Sequence, residues 1–176
     1  MACAYFFFDG RDGQTGLRTV ESLIRSLIGQ ISTSYKGLPA TLTKLYHSCL
    51  DGDSQPSVKS LQDALFLILE AFSDVYIILD ALDECAERED LLKWITEMIS
   101  WRKGKLHLLA TTRPEDDISK HLRFLDPNHV CVKSDLVACD VARYIDHVLE
   151  TEKLWTNEVK ATIKSTLLEN TKGMYV

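Results

Sequence analysis

Asp80, Asp83 and Glu84 close an apolar run, VYIILDALDEC, with three carboxylates in five residues. Carboxylates this close repel one another unless a cation or hydrogen-bond donors neutralise them. A hard divalent ion such as Mg2+ suits the purpose, because it takes one or two protein carboxylates and completes its shell with water and phosphate oxygens. A second run, HLLATTRP, ends in Thr111, Thr112 and Arg113. If the two runs are parallel neighbours, acid and guanidinium share one edge. That is the division of labour of phosphoryl transfer, where one side holds metal and water and the other stabilises phosphate charge. The plain alternative is a buried strand ending in a solvated acidic turn, with Arg113 pairing one of the acids.

A third stretch, FFFDGRDGQTGLRT, reads as strand, glycine loop and helix start, the layout of a phosphate-binding loop. Such a loop needs GxxxxGK followed by Ser or Thr, so that backbone N–H groups wrap the phosphates and a lysine reaches their oxygens. Here Gly10 and Gly16 stand one residue too far apart, and Leu17 occupies the lysine position. Arg18 with Thr19 is out of register, an arginine does not replace a compact ammonium, and Asp9 and Asp12 add negative charge. The stretch is therefore read as a surface turn whose glycines permit positive φ ahead of a helix. No other segment of the 176 residues carries the GxxxxGK pattern. His129, Cys131 and Cys139 come nearest to metal spacing but lack a matching second pair, and DGRDG and DGDS lack the acidic ladder of a calcium loop.

The elements that must position these residues follow from periodicity. Strands are expected at AYFFF, at VYIIL, at KLHLLATT and, briefly, at HVCV (129–132). VYIIL, continuously apolar and β-branched or aromatic, has the pattern of a strand buried on both faces of a parallel sheet. Val20, Leu23, Ile24, Leu27, Ile28 and Ile31 recur at helical spacing and predict a helix over 19–34. Further helices are predicted at 39–50 and 57–72, through the stripe Leu91, Leu92, Ile95, Met98 and Ile99, and at 136–150 and 156–170. Strands alternating with helices give an α/β fold with a mostly parallel sheet, whose ligands bind beyond the carboxyl ends of the strands.

Composition narrows the function. A net charge of −6, with 26 acidic and 20 basic residues, offers no general attraction to nucleic acid or anionic membranes. Five scattered cysteines without a CxxC pair fit a reducing, cytoplasmic setting better than a disulfide framework. ALFLILEAF (64–72) is far shorter than the roughly 20 residues of a membrane span.

Taken in order, these motifs resemble a known family. VYIILDALDEC resembles the Walker B motif of NACHT-type signal-transduction NTPases of the STAND class, and LLATTRPEDDI their first sensor motif. AYFFFDGRDGQTGLRTVESLIRSLIGQI resembles the strand and helix after the nucleotide-binding loop in fungal members, also called nephrocystin-3-like N-terminal domains, and TKGMYV the start of their Lys-Gly-Met-Phe segment. The resemblance implies a P-loop NTPase-like sheet of order 5-1-4-3-2 and an Mg2+-dependent switch fed by ATP or GTP. It implies that Asp80 holds Mg2+, that Asp83 or Glu84 orients or deprotonates the attacking water, and that Arg113, with Thr112 beside it, faces the terminal phosphate.

The missing Walker A loop departs from that pattern. Residues 1–176 are thus expected to be one partial NACHT domain, lacking the first strand, its loop and the later winged-helix region, with little or no nucleotide or Mg2+ bound by the chain alone. The gap would leave the KLHLLATT and HVCV strands without their shared neighbour. The expected function is a fragment of a nucleotide-dependent signalling switch. The alternative is a non-catalytic interaction module that self-associates or joins full-length NACHT proteins, and a metal-dependent phosphatase or nuclease ranks third.

Overall fold

The computed structural model describes residues 1–11, 15–34, 39–101, 105–123, 128, 130, 134–152 and 154–170. They fall into two compact units, 1–127 and 128–176.

In the first unit, strands β1 (Ala2–Phe7), β2 (Asp74–Asp80) and β3 (Lys105–Ala110) form a parallel sheet in the order β1-β2-β3. The register aligns Ala4 with Ile77 and Leu108, and Phe7 with Asp80. This α/β architecture is the one periodicity predicts, and VYIILD and KLHLLA run side by side in the same direction. Helices α1 (Val20–Thr33), α2 (Ala40–Ser48) and α3 (Val58–Leu69) lie between β1 and β2, and α4 (Arg88–Ser100) between β2 and β3. Helix α5 (Asp116–Arg123) follows β3. Of the HVCV strand expected at 129–132, residues 129, 131 and 132 lie outside the described residues, as does the TKGMYV segment.

The helix starts are set by local chemistry. Thr19 caps α1 by accepting from the Ser22 N–H at 3.2 Å, and Ser57 caps α3 by accepting from the Ser60 N–H at 3.1 Å. Each hydroxyl satisfies a donor that the helix cannot. Asp116 and Asp117 open α5, and Lys120, His121 and Arg123 close it, matching the helix dipole at both ends.

Strand order decides where the core sits. Parallel crossovers are right-handed, so strands laid down progressively in one direction send every connecting helix to the same face. Accordingly Ala2, Ala4 and Phe6, then Val75, Ile77 and Leu79, join one core with Leu23, Leu27, Leu65, Leu69, Trp94 and Met98. The alternate residues form the other face, where Tyr5, Phe7, Tyr76 and Leu109 are exposed. The expectation that VYIIL is buried on both faces is corrected here: its pattern is buried on one side and open at Tyr76 on the other. A continuous apolar run cannot report handedness, and handedness put the helices on one side.

One residue of the sheet's β1 edge is tied down by a side chain. The Gln30 carboxamide of α1 accepts from the Tyr5 N–H at 3.0 Å and donates to the Tyr5 carbonyl at 2.7 Å, which occupies the groups of the edge's middle residue.

In the second unit, α6 (Ser134–Thr151) and α7 (Asn157–Asn170) pack together. Ile145 and Leu149 are buried, and Lys164 meets the Asp146 carboxylate at 2.6 Å. No helix among the described residues is long and apolar enough to cross a membrane.

Candidate functional site

The carboxyl ends of β2 and β3 are joined by one residue, Thr111. Its N–H donates to the Leu79 carbonyl at 2.9 Å, and its carbonyl accepts from the Leu82 N–H at 3.0 Å. Its hydroxyl accepts from the Ala81 N–H at 3.1 Å and donates to Asp80 Oδ1. The Asp80 carboxylate is therefore held in one orientation with its second oxygen uncommitted to Thr111. The chain leaves β2 through Ala81 in the left-handed region (φ 55°, ψ 54°), and Leu82–Glu84 then form a single tight turn. For a residue with a Cβ this conformation costs about 1–2 kcal/mol. The bonds of Thr111 on either side hold it there.

Asp83 and Glu84 point to different partners. Asp83 is buried, at 9% exposure, and accepts from the Arg113 N–H at 3.0 Å. Its second oxygen lies 3.5 Å from Arg113 Nε, while the Thr112 hydroxyl sits 3.4 Å from the first and donates to the Arg113 carbonyl at 2.9 Å. The Asp83 carbonyl in turn receives the Arg88 guanidinium, which also pairs with Glu115 at 3.4 Å and Asp117 at 3.7 Å. Asp83 is thus saturated by its own neighbours. Glu84 is more open: one oxygen accepts from the Gly10 N–H, and the other lies 3.7 Å from Arg113 Nη2.

The sequence-selected residues Asp80, Asp83, Glu84, Thr112 and Arg113 are therefore gathered on one rim, with Arg113 touching two of the three acids. Among the described residues no three His, Cys, Asp or Glu side chains converge as a ready metal cage. The donor set fits a hydrated Mg2+ held by one carboxylate, Asp80, and does not fit an ion enclosed by protein alone. Thr111 is the residue whose role spacing understates. Its signal was its place directly opposite Asp80 on a parallel neighbour.

The glycine loop after β1 serves this rim structurally. The Asp9 N–H bonds the Leu17 carbonyl at 3.1 Å, and the Arg11 guanidinium grips the Asp9 carboxylate, lowering its pKa to about 2 through that hydrogen bond. The expectation of positive φ is corrected: Gly10 and Gly16 do not adopt it, while Gly52 does, at 98°. Gly10 serves close approach instead, since a Cβ there would stand 3.2 Å from Glu84 Oε2. Asp12 lies outside the described residues.

Helix α1 begins with two of its first N–H donors already committed. The Glu87 carboxylate accepts from the Val20 N–H at 2.8 Å, and Thr19 takes the Ser22 N–H. A helix N-terminus binds phosphate through such free N–H groups. The Arg18 carbonyl accepts from the Ala86 N–H at 2.9 Å and from the Cys85 thiol at 3.4 Å. Burial pushes the Cys85 thiol pKa up, so it stays protonated as a donor. The Arg-Thr pair that imitates a phosphate loop anchors α1 to the acidic turn.

A family model described as nephrocystin 3, N-terminal, matches residues 1–113, the span from β1 to the arginine of the rim. No curated protein matches the chain.

Proposed function

The chain belongs to the nephrocystin 3 N-terminal family, and from that premise we propose that it is part of a NACHT-type, P-loop NTPase-like signalling switch of the STAND class. In this reading the rim is the metal and terminal-phosphate half of a nucleotide site. The observation that supports it is the placement at the ends of adjacent parallel strands of Asp80, oriented by Thr111, and of Arg113, which meets Asp83 and Glu84.

Asp80 would hold Mg2+, which supplies charge neutralisation to the β- and γ-phosphates of ATP or GTP. Arg113, held by Asp83 and Glu84 and 62% exposed, is free to turn its guanidinium to a terminal phosphate. Thr112 fixes the strand end from which Arg113 projects. Between the two acids of the turn, the water-orienting role falls to Glu84: Asp83 is buried and fully engaged, and its task is to position Arg113. The lysine-bearing loop that wraps the phosphates is not found in these 176 residues, and the glycine loop cannot stand in for it. Nucleotide binding by this chain alone is therefore weak or nil.

The test adds the missing loop. A fluorescent ATP analogue with Mg2+ should bind the chain poorly, and a version extended upstream by a strand, a GxxxxGK[ST] loop and its helix should bind well. In the extended protein Asp80→Ala should weaken the Mg2+ dependence, Glu84→Gln and Arg113→Ala should lower hydrolysis more than binding, and Asp83→Asn should act mainly through stability. Equal hydrolysis in wild type and all variants would refute these roles.

The uncovered sheet face favours a second reading, a non-catalytic module working by association with copies of itself or with longer relatives.

A further inference from the structure

Each acid of the rim has its own holder. Asp80 is oriented by the Thr111 hydroxyl and Asp83 by the Arg113 N–H, both from the end of β3. Glu84 is held from the β1 side: its Oε2 accepts from the N–H of Gly10, in the loop after β1. Sheet register brings the chain there, because Phe7 lies opposite Asp80 and the Phe8 N–H donates to the Asp80 carbonyl at 3.1 Å. The loop is braced at this point. The Arg11 N–H and Nε both donate to Asp9 Oδ1, at 3.0 and 2.9 Å, so Arg11 is engaged by Asp9 while the Gly10 N–H meets Glu84.

We propose that Gly10 is a positioning residue for Glu84: its N–H anchors one carboxylate oxygen and leaves the other to orient a water, so that the loop after β1 sets whether this acid can work. The inference rests on the reading of Glu84 as the water-orienting acid.

Chemistry and space both support the assignment. A glutamate side chain has several torsions to fix, and a charge-assisted bond to a backbone N–H fixes its far end without bringing a second charge to the site. The other oxygen, Oε1, lies 3.7 Å from Arg113 Nη2, and the side chain is 29% exposed, open enough to meet water. A terminal phosphate competes with Glu84 for that guanidinium. Drawing Arg113 away uncovers Oε1, while Oε2 keeps its backbone donor. The position also demands glycine: a Cβ on residue 10 would stand 3.2 Å from Glu84 Oε2 and 3.6 Å from Glu84 Cβ and Cδ, so a side chain there pushes the carboxylate off its donor. The far end of the loop is fixed to the same acidic turn. The Ala86 N–H donates to the Arg18 carbonyl at 2.9 Å, and the Glu87 carboxylate accepts from the Val20 N–H at 2.8 Å, which registers the loop against the turn at both ends.

Two measurements test it. In the full 176-residue chain, hydrogen exchange followed by NMR should show the Gly10 amide exchanging about 10-fold or more faster in Glu84→Ala than in wild type, because the carboxylate is what protects it. Equal rates would overturn the proposal. In the same chain extended upstream by the GxxxxGK[ST] segment, Gly10→Ala crowds the carboxylate and Gly10→Pro removes the donor. Each should lower kcat about 10-fold or more with nucleotide Kd and Mg2+ dependence unchanged, and neither should lower it further in a Glu84→Gln background. Circular dichroism checks that the fold is kept, and Gly10→Ala carries the test where the proline variant loses it. Wild-type kcat in the Gly10 variants, a parallel fall in nucleotide binding, or a further loss on top of Glu84→Gln would overturn the positioning role and leave that of Glu84 standing. Absent hydrolysis, or hydrolysis indifferent to Glu84→Gln, would instead overturn the reading of Glu84 and the inference with it.

Discussion

Ile77 and Ile78 are consecutive residues of one strand with opposite surroundings. Ile77 is sealed in the core and Ile78 stands on the uncovered face. The same alternation separates Phe6 from Phe7 and Leu108 from Leu109. One face of the sheet is a packed interior because every right-handed crossover delivered its helix there. The other keeps apolar residues that the helices of its own unit do not cover. Hydrophobicity alone therefore does not mark the interior. The sheet's topology does.

The sharpest way to break that comparison is to truncate both neighbours. Ile77→Ala should cost about 3–4 kcal/mol of unfolding free energy through lost burial and a residual cavity. Leu109→Ala, measured in urea at concentrations where the chain is monomeric, should stay within about 0.5 kcal/mol. Similar losses at both positions would mean that the open face is covered.

The rim repeats the contrast in polar form. Asp83→Ala strips a buried acceptor from the Arg113 N–H and removes a partner of its guanidinium, and should cost about 2–3 kcal/mol. Asp80→Ala, whose carboxylate meets only Thr111 among the contacts described, should cost about 1 kcal/mol or less. Thermal melts of the two variants would rank the buried, engaged acid against the open one, and the reverse ranking would mean that Asp80 carries more of the rim's stability than its bond to Thr111 indicates.

A smaller effect sits where β2 turns out of the core. Ala81→Gly should stabilise the chain by about 0.5–1 kcal/mol, because glycine takes a positive φ without the Cβ penalty and gives back part of the gain as unfolded-chain entropy. Ala81→Val should be destabilising, and a loss in the glycine variant would show that the turn relaxes.

The least effect belongs to the loop after β1. The folded pKa of Asp9 is depressed, from 3.8 to about 2, so its contribution to stability is complete above pH 4 and disappears as pH falls through about 2. Asp9→Asn should flatten the acid limb of the stability curve in that window, because the variant lacks at pH 7 what the carboxylate contributes and matches the wild type below about pH 2. An unaltered acid limb would place the Asp9–Arg11 contact in the unfolded chain as well.

Much of this was legible without coordinates. The six-residue stripe from Val20 to Ile31 is the buried face of α1, and the apolar runs before Asp80 and Thr111 are adjacent parallel strands. Helix α5 escapes periodicity because it is eight residues long and buries one, Ile118. Gly10 looked like a turn glycine, yet its N–H bonds the carboxylate of Glu84, 74 positions away, and a Cβ there would crowd it.

The sequence by itself determined the alternation of strand and helix, the clustering of acids at one strand end and an arginine at another, and the failure of the glycine loop to match a phosphate cradle. These are local properties, written in residue type and spacing. Tertiary structure alone decided that Asp83 is buried under Arg113 while Glu84 reaches Gly10, that Glu87 and Thr19 occupy the start of α1, and that one face of the sheet stays bare. Those outcomes depend on crossover handedness and on contacts between residues distant in the chain, and no short window of sequence encodes either.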